Sequence, residues 1–256
     1  VLTARFYGSG EEKKLKENVA VAVALGFLTA AVVITAVAVF IRPILSLLNV
    51  PPQQMDMALS YITLLVWGMF VTLAYNLCAN TLRAIGDSLT PLVFLVIAAL
   101  TNVALDYLFI LVFGMGVRGA AVATLVSQLL SVVLSLIRIR HGFPILHIAR
   151  EHFVFSRDRV VSLYQSGLSM GLMSSLVNFG SLVLQSGINQ LGTNIIVAHT
   201  AARKMFEIWG LPVSVLGSSM ATYCGQNYGA GRYDRIRQGM KSVLLIGAAW
   251  DGIVFV

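Results

Sequence analysis

The stretch PLVFLVIAALTNVALDYLFILVF, residues 91–113, decides the fold: across these residues Asp106 is the one charged side chain. As a helix rising 1.5 Å per residue it would be about 34 Å long, enough to cross the roughly 30 Å of hydrocarbon in a bilayer. In lipid every backbone N–H and C=O must find its partner inside the protein, so an apolar run of this length reads as a helix. Transmembrane strands are too short and too strictly alternating to fit it.

Comparable runs lie on both sides, over residues 18–41, 57–79, 116–137, 160–188 and 195–223, with a further one opening at Ser242. The expectation is therefore six whole spans and the start of a seventh. Of the 256 residues, 57% are apolar and 11% charged, against about 25% charged in soluble domains. Mean hydropathy is +0.83. Such a chain cannot cover a water-facing surface with charge, which excludes a soluble enzyme, a nucleic-acid-binding domain and a disordered segment. Two cysteines, Cys78 and Cys224, stand far apart and imply neither a disulfide framework nor a metal motif. Val1 in place of an initiating Met, and an apolar run still open at Val256, lead us to expect an internal piece of a longer protein.

The net charge of +7 needs no nucleic-acid partner once the cations are located. Assigning alternate connections to alternate sides puts Arg5, Lys13, Lys14, Lys16, Arg83, Arg138, Arg140, Arg150, Arg157, Arg159, Arg232, Arg235, Arg237 and Lys241 on one side and only Arg42 and Arg118 on the other. The richer side is cytoplasmic by the positive-inside rule. The longest polar connection, with His141, His147 and His152, reads as a cytoplasmic linker whose histidines are solvated and lack the spacing of metal ligands. Tyr7-Gly8-Ser9-Gly10 returns as Tyr228-Gly229-Ala230-Gly231, an offset of 221 residues, in the equivalent cytoplasmic connection. Two halves of that length make a parent of roughly 440 residues with parallel repeats.

Polar groups inside spans are costly and point to function. Asn102 and Asp106 share a helix face at i, i+4. Counting from the Gly114-Met115-Gly116 turn, Thr124 falls at the depth of Asp106 on the next span. A carboxylate, an amide oxygen and a hydroxyl are hard ligands suited to a proton or a small hard cation. Interhelical hydrogen bonding is the bland alternative, but a mid-membrane carboxylate is an expensive way to obtain it. The span over 160–188 carries Ser174, Asn178, Ser181 and Gln185, continued by Asn189, as a polar stripe that should face a cavity or the bundle interior. Glu207 has Arg203 at i−4, which reads equally as a structural ion pair and as part of a translocation path, and Pro212 should kink the same helix. There is no nucleophile with an adjacent base and no phosphate-binding loop, so no enzyme activity and no cofactor are expected.

Several motifs then carry a resemblance. Leu82-Arg83-Ala84-Ile85-Gly86-Asp87-Ser88-Leu89-Thr90-Pro91, the Asn102 to Asp106 pair, Gly119-Ala120-Ala121-Val122-Ala123-Thr124 and Gly225-Gln226-Asn227-Tyr228-Gly229-Ala230-Gly231 resemble the multidrug and toxic compound extrusion (MATE) family. The resemblance implies an all-α, polytopic transmembrane bundle, part of a twelve-helix transporter of two six-helix lobes. Residues 1–140 would belong to the N-terminal lobe with helices 3–6 complete. Residues 141–160 would form the inter-lobe linker, and 161–256 would hold helices 7–8 and the start of 9. It implies a multi-pass protein of the plasma (inner) membrane that exports small organic, often cationic, compounds by antiport with Na⁺ or H⁺, working as a monomer when full length. Asn102, Asp106 and Thr124 match three of the family's N-lobe cation ligands; the remaining one, an Asp on helix 1, would fall outside this chain. Asn178, Ser181, Gln185, Arg203 and Glu207 would line the substrate path. The alternatives are a lipid-linked oligosaccharide flippase of related fold, which should line its cavity with more Arg and Lys than this chain offers, and a channel or non-transporting membrane scaffold.

Overall fold

The computed structural model describes residues 1–47, 52–189 and 191–254. They form helices α1 (Leu2–Gly8), α2 (Glu12–Leu47), α3 (Pro52–Ala84), α4 (Leu89–Asp106), α5 (Gly116–Gly142), α6 (Arg157–Asn189), α7 (Thr193–Gly229) and α8 (Tyr233–Val254), and no strand occurs among the described residues. The all-α, polytopic architecture is the one expected. Five helices, α2 to α6, are long and apolar enough to cross a bilayer, α4 doing so together with its continuation to Val112. The sixth expected span, in α7, is not among them. At 37 residues it is long enough, but Arg203, Lys204 and Glu207 and a run of small polar residues dilute its apolar character. It continues through Pro212 without interruption.

The chain divides into two compact units, Glu11–Val154 and Val1–Gly10 together with Phe155–Val256. In the first, α5 packs along α3 and α4, and α2 along α3. Gly119, Ala123, Ser127, Ser131 and Ser135 recur every four residues on α5 and are all buried. Without a hydrophobic driving force in lipid, small residues let helices approach until dispersion and interhelical hydrogen bonds hold them. Ser131 Oγ donates to the Phe94 carbonyl of α4 at 2.9 Å, and Thr72 Oγ1 of α3 donates to Gln128 Oε1 of α5 at 2.7 Å. A tighter apolar cluster, Ile34, Ile41, Leu45 and Val66, joins α2 to α3. The exposed surface is apolar as well. Leu100 and Val103 of α4 and Leu111 of its continuation are each more than two thirds exposed, the pattern of a lipid-facing helix side.

The turn into α4 shows what the 82–91 motif does. Gly86, at φ +99°, takes a backbone conformation that a side chain would strain. Asp87 then accepts from the Thr90 backbone N–H at 3.1 Å and from Thr90 Oγ1 at 2.7 Å. Arg138 Nε, near the end of α5, lies 3.7 Å from Asp87 Oδ2, so the start of α4 is tied to the end of α5.

In the second unit α1 packs on α7, and α7 on α8 and α6. The first ten residues, expected with residues 11–140, thus group with Phe155–Val256. The two copies of the Tyr-Gly motif explain this. An ideal Cβ at Gly8 would stand 1.9 Å from the Gln226 carbonyl oxygen, and one at Gly229 would stand 2.0 Å from the Arg5 carbonyl oxygen. Under the 221-residue offset Gly8 corresponds to Gly229 and Arg5 to Gln226, so the contact pairs one patch with its own repeat, as an isologous interface does. Arg5 also places its guanidinium 5.0 Å from the centre of the Tyr228 ring, a cation–π arrangement. Trp250 Nε1 donates to the Trp209 carbonyl at 2.9 Å and joins α8 to α7.

Candidate functional site

The small-residue face of α5 brings α4 close enough that an ideal Cβ at Gly119 would be 3.1 Å from Phe109 Cβ. That contact and the Ser131–Phe94 hydrogen bond bracket the helix pair and set its register. α4 ends at Asp106 and the chain continues as a π-helical segment, Tyr107–Val112, so Asp106 stands where the regular helix gives way to a wider turn. Such π segments are uncommon and often occur where function requires an adjustable backbone.

Asp106 Oδ1 and the terminal nitrogen of Asn102 are both buried and have no hydrogen-bond partner among the described residues. They sit one turn apart on a helix whose other sides meet α5 and lipid. A half-turn of the Asn102 amide exchanges its nitrogen for its oxygen, so the pair can present two oxygens to one point. Thr124 Oγ1 donates to the Ala120 carbonyl at 2.9 Å, which commits its proton and leaves lone pairs to accept. Two unsatisfied buried polar groups are costly, and a proton on the carboxylate or a desolvated cation between the oxygens removes that cost. Other polar groups of this unit, which the sequence reading passed over, are the Thr72–Gln128 pair and the buried Tyr75 hydroxyl, which has no hydrogen-bond partner among the described residues. Gln128 was findable: it follows Thr124 by four residues inside an apolar helix. Nothing in the composition of 107–112 signals the π segment.

The residues expected along the substrate path all belong to the other unit. Asn178 is exposed, Ser181 and Gln185 are half-buried on α6, and Gln185 Nε2 donates to Asn189 Oδ1 at 2.8 Å. The stripe is thus partly satisfied within its own helix. Arg203 Nε meets Glu207 Oε1 at 3.1 Å, with both side chains well exposed, so the ion pair expected at i, i+4 is present on α7. An exposed pair of this kind contributes little to stability.

The MatE family model matches residues 1–108 and 170–256. The chain is 24% identical over 263 residues to the "Probable multidrug resistance protein YoeA" of Bacillus subtilis (strain 168), covering 100% of this chain and 57% of that protein. It is 28% identical over 251 residues to a "FAD transporter" of Shewanella oneidensis, covering 92% of this chain and 53% of that one. Among solved structures it superposes on "Crystal structure of MATE in the bent conformation" with a TM-score of 0.91 at 21% identity, covering 99% of this chain and 57% of the other. The chain thus spans a little over half the length of these relatives.

Proposed function

This chain belongs to the MatE family, and from that premise we propose that the protein is a secondary active transporter of the plasma membrane that exports small organic compounds, often cationic, by antiport against Na⁺ or H⁺. It is a multi-pass membrane protein. The observation that carries the antiport reading is the pair of buried polar groups without partners among the described residues, Asn102 and Asp106, on a helix otherwise given over to packing and lipid. Asp106 supplies the negative charge, Asn102 and Thr124 supply neutral oxygens, and together they would hold a partly dehydrated Na⁺ or share the charge with a proton on Asp106. Both ligands compete for one carboxylate.

Binding shifts a conformational equilibrium only when one state binds the ligand better than the other. The π segment beginning at Tyr107 offers that difference: drawing it into regular α geometry rotates the residues beyond Asp106 relative to α5 and changes the distance from Asp106 to Thr124. Cation uptake and substrate release then exclude one another. The transported compound would pass a polar route to which Asn178, Ser181, Gln185, Arg203 and Glu207 contribute, and a single full-length chain would suffice. The reaction moves its substrate without making or breaking covalent bonds, so it asks for no organic cofactor. The relative named for FAD extends the compounds worth testing to flat aromatic anions.

The test is efflux from vesicles holding the full-length protein, measured for a fluorescent organic cation and for a flavin under separately imposed Na⁺ and H⁺ gradients. Gradient-driven efflux in the wild type that Asp106→Asn abolishes is the expected result. Efflux in Asp106→Asn with unchanged ion dependence refutes the coupling role, and steady ionic current without substrate flux refutes antiport altogether.

A further inference from the structure

We propose that the cytoplasmic end of α5 is a binding site for one diacyl phospholipid with an anionic headgroup, held by Arg140 and His141 with its two chains in the grooves on either side of Leu136. The larger groove, about 670 Å³, runs between α2, α3 and α5, with Val19, Val23, Leu77 and Leu136 among its walls. The smaller, about 480 Å³, lies along the next side of α5 against Val133 and Ile137. The two share Leu136, Arg140 and His141. Leu136 and Arg140 are one turn apart, so they form a ridge with an apolar foot and a cationic crest, and the grooves converge on the charge.

Three observations single out an anionic lipid as the occupant. Neither groove is lined by a carboxylate. Arg140 makes no ion pair among the described residues, whereas Arg138, two residues earlier, reaches Asp87 and stacks over the Phe143 ring at 5.2 Å. The free guanidinium therefore lies where the distribution of Lys and Arg puts the cytoplasmic leaflet, whose anionic lipids attract such groups. The site is also built. Leu146, the last residue of a short 3₁₀ turn, lines the larger groove with His147 and Ile148 and is 4% exposed, and His147 Nε2 contacts the Arg140 carbonyl at 2.8 Å. The Thr81 hydroxyl on the wall of the larger groove donates to the Leu77 carbonyl at 2.7 Å, and paired acyl chains need no hydrogen-bond partner there.

The experiment is native mass spectrometry of the purified full-length protein titrated with phosphatidylglycerol or with phosphatidylcholine of identical chains. Phosphatidylglycerol should be retained at one high-affinity site and phosphatidylcholine much less. Arg140→Gln should weaken phosphatidylglycerol about tenfold, the effect of removing one charge-assisted hydrogen bond, and Arg140→Lys should restore part of it. Val23→Trp, which fills the larger groove, should weaken both lipids while leaving helicity unchanged. Soluble glycerophosphoglycerol should not compete. Equal retention of the two lipids, an unchanged Arg140→Gln, or displacement by the headgroup alone would each overturn the proposal. None of these readouts depends on transport, so they stand apart from the antiport reading.

Discussion

Replacing Gly8 with Ala should loosen α1 from α7, although alanine is the better helix former. Gly8 is the last residue of α1, and no positive φ stands in the way of a side chain there. If nothing else mattered, the change would stabilise the helix by up to about 1 kcal/mol. The added Cβ, however, would stand 1.9 Å from the Gln226 carbonyl oxygen, and ordinary contact begins at 3.4 Å. Relief requires the two backbones to part by about 1.5 Å, which forfeits the dispersion of the helices' contact. Overpacking against backbone costs about 1–3 kcal/mol, so even with the full propensity gain the contact should cost up to about 2 kcal/mol net. Hydrogen exchange of the α1 amides in the full-length protein reads this directly: their protection should fall about tenfold. Gly229→Ala, the same position in the repeat, should act in the same direction through the Arg5 carbonyl. The double variant should cost less than the sum, because one separation relieves both clashes. Slower or unchanged exchange in either single variant would show that α1 is not seated on α7 and would refute the isologous contact.

The other expectations concern the first unit. Asp106→Asn should abolish ion dependence of efflux, whereas Thr124→Ala, which removes one neutral ligand, should weaken it several-fold; equal losses in vesicle assays would contradict the ligand assignment. Ser131→Leu should destabilise the unit by about 1–3 kcal/mol by forcing a large side chain between α5 and the Phe94 carbonyl, while Ser131→Ala should cost about 1 kcal/mol; thermal unfolding in detergent distinguishes them, and equal effects would show that the helices are not in close contact there. Asp87→Ala removes both bonds to Thr90 and the partner of Arg138 and should lower stability by about 1–2 kcal/mol. Asp87→Asn should retain most of it, and no change in the unfolding midpoint of the Ala variant would argue against the tie between α4 and α5.

How much was legible in the sequence differs between backbone and site. Residues 91–113 determine a membrane helix by themselves, because lipid offers the backbone no partners and the run is long enough. The same reasoning gave the remaining α2 to α6 spans, and a spacing of four gave the shared face of Asn102 and Asp106. The Arg203–Glu207 pair was equally local. Other features depend on atoms distant in the chain. The Tyr-Gly repeat was visible at an offset of 221, but its two copies touch because each lacks a Cβ where the other's carbonyl stands, a fact about two backbones meeting. The π segment at 107–112 is announced by no residue type, since Tyr-Leu-Phe-Ile-Leu-Val suits α and π geometry alike. The freedom of Arg140, beside an engaged Arg138, depends on where Asp87 comes to rest after the chain has crossed α4 and α5. Local periodicity determines which segments cross the bilayer, and only packing determines which polar groups are left without a partner.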